Sequence, residues 1–142
     1  MAAILCLDQV SKWIIRRKMV VRQSIPVVSN VFHLTYIRNT GAAFSLFAKH
    51  TKALIVASIL IIMLVVLSFN HLTKGHELMR FAVALVIAGA LGNLIDRLRF
   101  GYVVDFIDLR FFPVFNVADM AIFIGIALLL WEAAHMPQEK GY

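Results

Sequence analysis

Residues 81–98 read FAVALVIAGALGNLIDRL, and this stretch decides the class of the fold. A helix at the surface of a soluble domain repeats its apolar residues on one face every three to four positions. Here the first half is apolar on every face, and the length approaches the ~20 residues that cross a bilayer core. Its second half carries Gly89, Gly92, Asn93, Asp96 and Arg97 at spacings of three and four, which makes one small-then-polar stripe. Small residues let a neighbouring helix come close, and packing alone is the plainer reading of Gly89 and Gly92. Asp96 asks for more, since an aspartate inside a span costs ~3 kcal/mol on insertion scales. It needs a cationic or amide partner.

Three further apolar stretches lie outward from this one, at residues 2–15, 53–69 and 117–134. The 142 residues are 61% hydrophobic and 15% charged, a balance that excludes a soluble domain and fits a single transmembrane domain over 1–142. A formal charge of +6 would suggest nucleic acid in a soluble chain. In this chain Arg16, Arg17, Lys18, Arg22, Lys49 and Lys52 flank apolar runs, where anionic headgroups sit, so the expected partners are membrane lipids and not nucleic acid. The lone Cys6 excludes an internal disulfide and a cysteine-based metal site. Asp8 interrupts the first apolar stretch with no basic residue before it, which argues for a retained span and against a signal peptide.

The connection between the first two spans is the longest. Over residues 31–38, Phe32, Leu34 and Tyr36 alternate with His33 and Thr35, the period-two pattern of a strand, with Pro26 before it and Asn39-Thr40-Gly41 after it. An open sheet edge cannot face hydrocarbon, so this β element is expected at the membrane surface, placed to receive an extended peptide. The second connection, residues 70–80, reads as short and polar. The third, 99–116, gathers Tyr102, Phe106, Phe111, Phe112 and Phe115 around Gly101 and Pro113, an interfacial composition. With four spans, connections one and three share a side, and Asp105 shares it with the end of span three and the start of span four. That side holds Arg16, Arg17, Lys18, Arg22, Arg38, Lys49, Lys52, Arg97, Arg99 and Arg110, against Lys74, Arg80 and Lys140 on the other. By the positive-inside rule it would face the cytoplasm.

Two sets of residues carry chemistry. Asp8 and Lys12 are four apart and share a helix face, with Ser11 beside them; a structural ion pair and a functional one both fit. Asp105, Asp108 and Asp119 form the second set. Two carboxylates brought close enough to share a proton supply a base for water and an acid for a leaving group, and they titrate as a unit. The plainer reading makes Asp105 and Asp108 solvated loop acids and Asp119 part of a capping box, since Asn116-Val-Ala-Asp119 has that spacing.

Asp8-Gln-Val-Ser-Lys12, Asn39-Thr-Gly-Ala-Ala-Phe-Ser45, Gly92-Asn-Leu-Ile-Asp96-Arg97, Gly101-Tyr-Val-Val-Asp105-Phe and Phe115-Asn-Val-Ala-Asp119 resemble, in order and spacing, the bacterial signal peptidase II family. The resemblance covers essentially the whole chain. It implies an aspartic endopeptidase of the bacterial inner membrane that removes the signal peptide from prolipoproteins, cutting just before a diacylglyceryl-modified cysteine. On that resemblance the catalytic residues are Asp105 and Asp119, and Asp108 is not one of them. Asp8, Lys12, Asn39, Gly41, Ala43, Asn93, Asp96, Arg97, Asn116 and Ala118 match positions that shape the site and contact substrate. Neither metal nor cofactor is expected, and the chain is expected to work as a monomer. Family members carry a longer first span than the seven residues before Asp8. The resemblance also turns the site to the extracytoplasmic face, opposite to the charge count, and the family topology is preferred here because the substrates arrive from the outer face. The alternative is a small transporter or proton channel using Asp8, Lys12, Asp96 and Arg97 as an intramembrane relay. It would need polar residues through a full bilayer depth, and the second span offers only Ser58 and Ser68.

Overall fold

The computed structural model describes residues 1–41, 51–74 and 76–135. The order of elements is α1 (Ala2–Lys18), β1 (Ser24–Val28), β2 (Phe32–Asn39), α2 (Thr51–Leu67), α3 (Phe69–Leu72), α4 (Glu77–Phe100), β3 (Val103–Asp108) and α5 (Val117–His135). The four expected apolar stretches lie in α1, α2, α4 and α5. Two of these helices, α4 with 24 residues and α5 with 19, are long and apolar enough to cross a membrane. The 17 residues of α2 bury none of their number inside the protein, and Leu60, Leu64 and Leu67 are exposed along its length. Past the first turn, which carries Thr51 and Lys52, its one polar side chain is Ser58, which turns its hydroxyl back onto the Leu54 carbonyl at 2.7 Å, as a hydroxyl without water must.

The stripe on α4 is the seam of the bundle. α5 packs along it so closely that a Cβ on Gly89 would collide with the Ala118 carbonyl oxygen, and one on Gly125 would lie 2.7 Å from the Ala82 carbonyl oxygen. α4 ends where Gly101 adopts the left-handed conformation (φ 77°) and returns its N–H to the Arg97 carbonyl at 3.0 Å.

The β element differs from expectation. It is a three-stranded antiparallel sheet in the order β1-β2-β3, and the third strand comes from the connection between α4 and α5, where only an interfacial loop was expected. β3 reads Val-Val-Asp-Phe-Ile-Asp and is buried at nearly every position, so it lacks the alternation that marks a half-exposed strand. β2 is therefore the central strand, and the strand at 31–38 cannot itself accept an added peptide, because β1 and β3 already occupy both its edges. The exposed β1 carries Pro26, a residue tolerated at a sheet edge. The polar second connection shrinks to residues 73–76, since α3 and the first turn of α4 take up the rest. Tyr36, Val104 and Phe106 of the sheet pack on Ile15 of α1 and on Met19, which sets β3 against the ends of α1 and α4.

Candidate active site

Lys12 is 2% exposed and its ammonium has three donors to place. Asp8 Oδ2 takes one at 3.0 Å, Asp96 Oδ2 another at 3.3 Å, and Asn93 Oδ1 the third at 3.1 Å. Asp96 thus gains a cation and also an amide, where its cost demanded one or the other, the amide being Gln9, whose Nε2 lies 3.2 Å from Asp96 Oδ1 and 3.1 Å from Asp8 Oδ2. The same two carboxylates also hold backbone. Asp96 Oδ2 accepts the Val104 N–H at 3.0 Å, and Asp8 Oδ1 accepts the Ala118 N–H at 3.0 Å. Val104 and Ala118 each immediately precede another aspartate, Asp105 and Asp119. One ammonium therefore fixes, through two carboxylates, the chain on which both of those aspartates are mounted. Gly92 makes the arrangement possible, because a Cβ there would lie 2.5 Å from Asp8 Oδ2.

Asp105, on β3, is 2% exposed, and Asp119, in the first turn of α5, is half-buried. Each carboxylate accepts from two amide donors. Asp105 takes Asn39 Nδ2 at 2.8 Å and Asn116 Nδ2 at 2.7 Å. Asp119 takes Asn93 Nδ2 at 2.7 Å and the Asn116 backbone N–H at 3.2 Å, while the Asp119 N–H donates to Asn116 Oδ1 at 2.9 Å. The last two bonds are the reciprocal capping box. Asn116 thereby both caps α5 and touches each carboxylate, so the capping role and proximity to Asp105 coexist. Burial pushes the Asp105 carboxyl up to about 7; the hydrogen bond from Asn39 opposes that rise, and the negative charge of Asp119 adds to it. Asn93 ties the two networks together, its Oδ1 accepting from Asn116 Nδ2 at 3.1 Å as well as from Lys12.

Arg97 is half-buried and feels the charges of Asp119, Asp105 and Asp96, yet no hydrogen bond or ion pair reaches its guanidinium among the described residues. Gly41 adopts a positive φ (96°) and gives its N–H to Asn39 Oδ1 at 2.8 Å, which orients the amide facing Asp105. Ala43 lies outside the described residues. Asp108 stands apart: it accepts from Thr35 Oγ1 at 2.7 Å and from Arg110, and these bonds hold its carboxyl below the usual range. It is 5% exposed and lies on a strand, so the plainer reading of it as a solvated loop acid does not hold. Gln9 escaped the sequence reading, although a carboxamide beside Asp8 on a span is itself a polar signal. An apolar groove of about 440 Å³, walled by Phe111, Phe112, Phe115 and Phe123, opens onto Asp119.

Residues 1–135 match the family model for Signal peptidase (SPase) II. A lipoprotein signal peptidase of Moorella thermoacetica is 46% identical over 138 residues, covering 97% of this chain and 92% of that protein. One from Geobacter sulfurreducens is 46% identical over 143 residues, covering 96% and 89%. A bacterial membrane enzyme solved by the in meso method at 1.9 Å superposes with a TM-score of 0.89 at 34% identity, over 96% of this chain and 90% of that one. The same kind of enzyme at 2.3 Å gives 0.88 at 34% identity, over 99% and 90%. A sequence match spanning nearly the whole chain, joined to the same fold, leaves one conclusion: this chain belongs to the signal peptidase II family, and it is a membrane peptidase.

Proposed function

We propose that Asp105 and Asp119 are the catalytic pair of this peptidase, and that its substrates are diacylglyceryl-modified prolipoproteins cut just before the lipidated cysteine. One observation carries the pairing: carboxylates from β3 and α5 both accept hydrogen bonds from Asn116. Asp105 holds the shared proton near neutral pH, as its raised value favours. Asp119 takes a proton from water as the water oxygen attacks the scissile carbonyl carbon, and Asp105 gives its proton to the carbonyl oxygen. The gem-diol then returns a hydroxyl proton to Asp105 while Asp119 protonates the departing amide nitrogen, and the C–N bond breaks. One water is consumed and both carboxyl groups end as they began.

The surroundings favour this chemistry. Asn39, Asn93 and Asn116 hold the two carboxyl groups in place without charge, and Arg97, which feels both carboxylates and has no hydrogen bond or ion pair among the described residues, is left as a donor for a developing oxyanion. The phenylalanine-walled groove at Asp119 is apolar, as a surface for acyl chains must be, so a diacylglyceryl group need not leave the bilayer for its cysteine to reach the pair. The reading places four spans in the bacterial inner membrane, the site near the extracytoplasmic face, and a monomer as the working unit. The proton-relay alternative finds no support, because Asp8, Lys12 and Asp96 close on one another and do not line a path across the bilayer. Purified protein incubated with a diacylglyceryl precursor should release the signal peptide, whereas the unmodified precursor should stay intact; no cleavage of the lipidated form would end the proposal.

A further inference from the structure

A second groove, of about 490 Å³, runs between α1 and α4 away from Asp105 and Asp119. Its α1 wall is Cys6, Val10, Trp13 and Arg16, residues three and four apart that stack along one helix face. Its α4 wall ends in Arg99 and Phe100. Cys6 and Val10 therefore sit toward the middle of α1, and the two arginines sit where both helices end. Those arginines converge. Arg16 Cζ stands 3.8 Å from the centre of the Phe100 ring and Arg99 Cζ stands 5.9 Å from the same centre. Among the described residues no carboxylate or hydrogen-bond acceptor meets either guanidinium. Like charges gathered at one ring beside hydrocarbon call for an anion, and the guanidinium fork suits phosphate.

We infer that this groove binds one anionic phospholipid, its phosphate between Arg16 and Arg99 and an acyl chain along Trp13, Val10 and Cys6. The shape and the charge agree on this occupant, since a cationic mouth at the helix ends leads to an apolar floor at membrane depth. A zwitterionic lipid would bring a choline cation against the arginines, and a free phosphate would leave the floor empty. Gln9, Lys12 and Asp96 line the groove beside this apolar floor. A lipid seated there shields the Lys12 ion pairs from stray water, and so supports the scaffold from its outer side. The inference does not depend on which residues cut the substrate, and its test reads binding alone.

Full-length protein in detergent would be titrated with dioleoyl-phosphatidylglycerol or dioleoyl-phosphatidylcholine, and retained lipid counted by native mass spectrometry. One phosphatidylglycerol should bind in preference to phosphatidylcholine. Arg16→Gln and Arg99→Gln should each weaken that retention about five-fold, the effect of one basic residue at an anionic surface. Val10→Phe, which fills the floor and leaves the charge unchanged, should weaken it too, so the inference stays testable if an arginine variant fails to fold. Arg110→Gln, which removes a charge outside the groove, should change nothing. Equal retention of both lipids, an equal loss in Arg110→Gln, displacement by inorganic phosphate alone, or an unaffected Val10→Phe would each overturn it.

Discussion

Asp8 Oδ1 accepts the Ala118 N–H at 3.0 Å, joining the first helix to the first turn of the last across 110 residues of chain. The contact is one arm of a scaffold whose other arm runs from Asp96 to Val104, with Lys12 between them. A buried ammonium that neutralises carboxylates is costly to remove, because the carboxylates stay behind uncompensated. Lys12→Met should therefore destabilise the protein by about 3–5 kcal/mol. Thermal unfolding in detergent would measure the loss, and the additional substitution Asp96→Asn should recover part of it. Cleavage by whatever folded fraction remains should fall at the same bond; a shifted cleavage position would give Lys12 a direct substrate role.

Gly92 and Gly125 both sit where a methyl group has no room, yet they face different neighbours. A Cβ on Gly92 meets the Asp8 carboxylate, and one on Gly125 meets the Ala82 carbonyl farther along the α4–α5 seam. Gly92→Ala and Gly125→Ala should each cost about 1–3 kcal/mol through overpacking. Only Gly92→Ala should also depress kcat for the folded enzyme, since it displaces the carboxylate that holds Ala118. Equal kcat in the two variants would contradict that split.

The raised value of Asp105 sets a pH limit. Its carboxyl titrates near 7 in the folded chain against an ordinary value of 3.8, so the folded state keeps a proton that the unfolded state releases. The stability from that group is complete below 3.8 and is lost as pH rises through about 7, with no further change above. Asp105→Asn should flatten this slope in unfolding experiments. For catalysis, kcat/KM should fall on the alkaline side with an apparent midpoint near 7, reported by the pair as a unit. A profile level from pH 6 to 9 would remove Asp105 as the group that enters protonated.

Asp108→Asn serves as the contrast. Thr35 and Arg110 engage its carboxylate on another part of the sheet, and no bond joins it to Asn116 or Asn93 among the described residues. Its loss should cost about 1 kcal/mol of stability and leave turnover within about two-fold. A loss of turnover comparable to that of Asp105→Asn would mean that the working acid has been misassigned.

Much of this was legible in the chain because it is local. Asp8 and Lys12 pair since four residues bring them to one helix face, and Asn116 with Asp119 closes a capping box over three. The expense of a buried Asp96 predicted a cationic or an amide partner, and both Lys12 and Gln9 are there. What escaped is long-range or hidden by burial. β3 was missed because burial on both faces erases alternation, and with it went the central position of β2. The grip of Asp8 on Ala118 and of Asp96 on Val104 uses backbone N–H groups, which every residue but proline carries and no side-chain pattern marks.

The most direct test is quantitative cleavage of a diacylglyceryl precursor by Asp105→Asn, Asp119→Asn and the double variant, each first shown to be folded by thermal unfolding. Two groups that act as one unit should each cost at least ~10³-fold in kcat when removed alone, and the double variant should lose little more. Turnover within ten-fold of the unaltered protein in either folded single variant would contradict the pairing of Asp105 with Asp119.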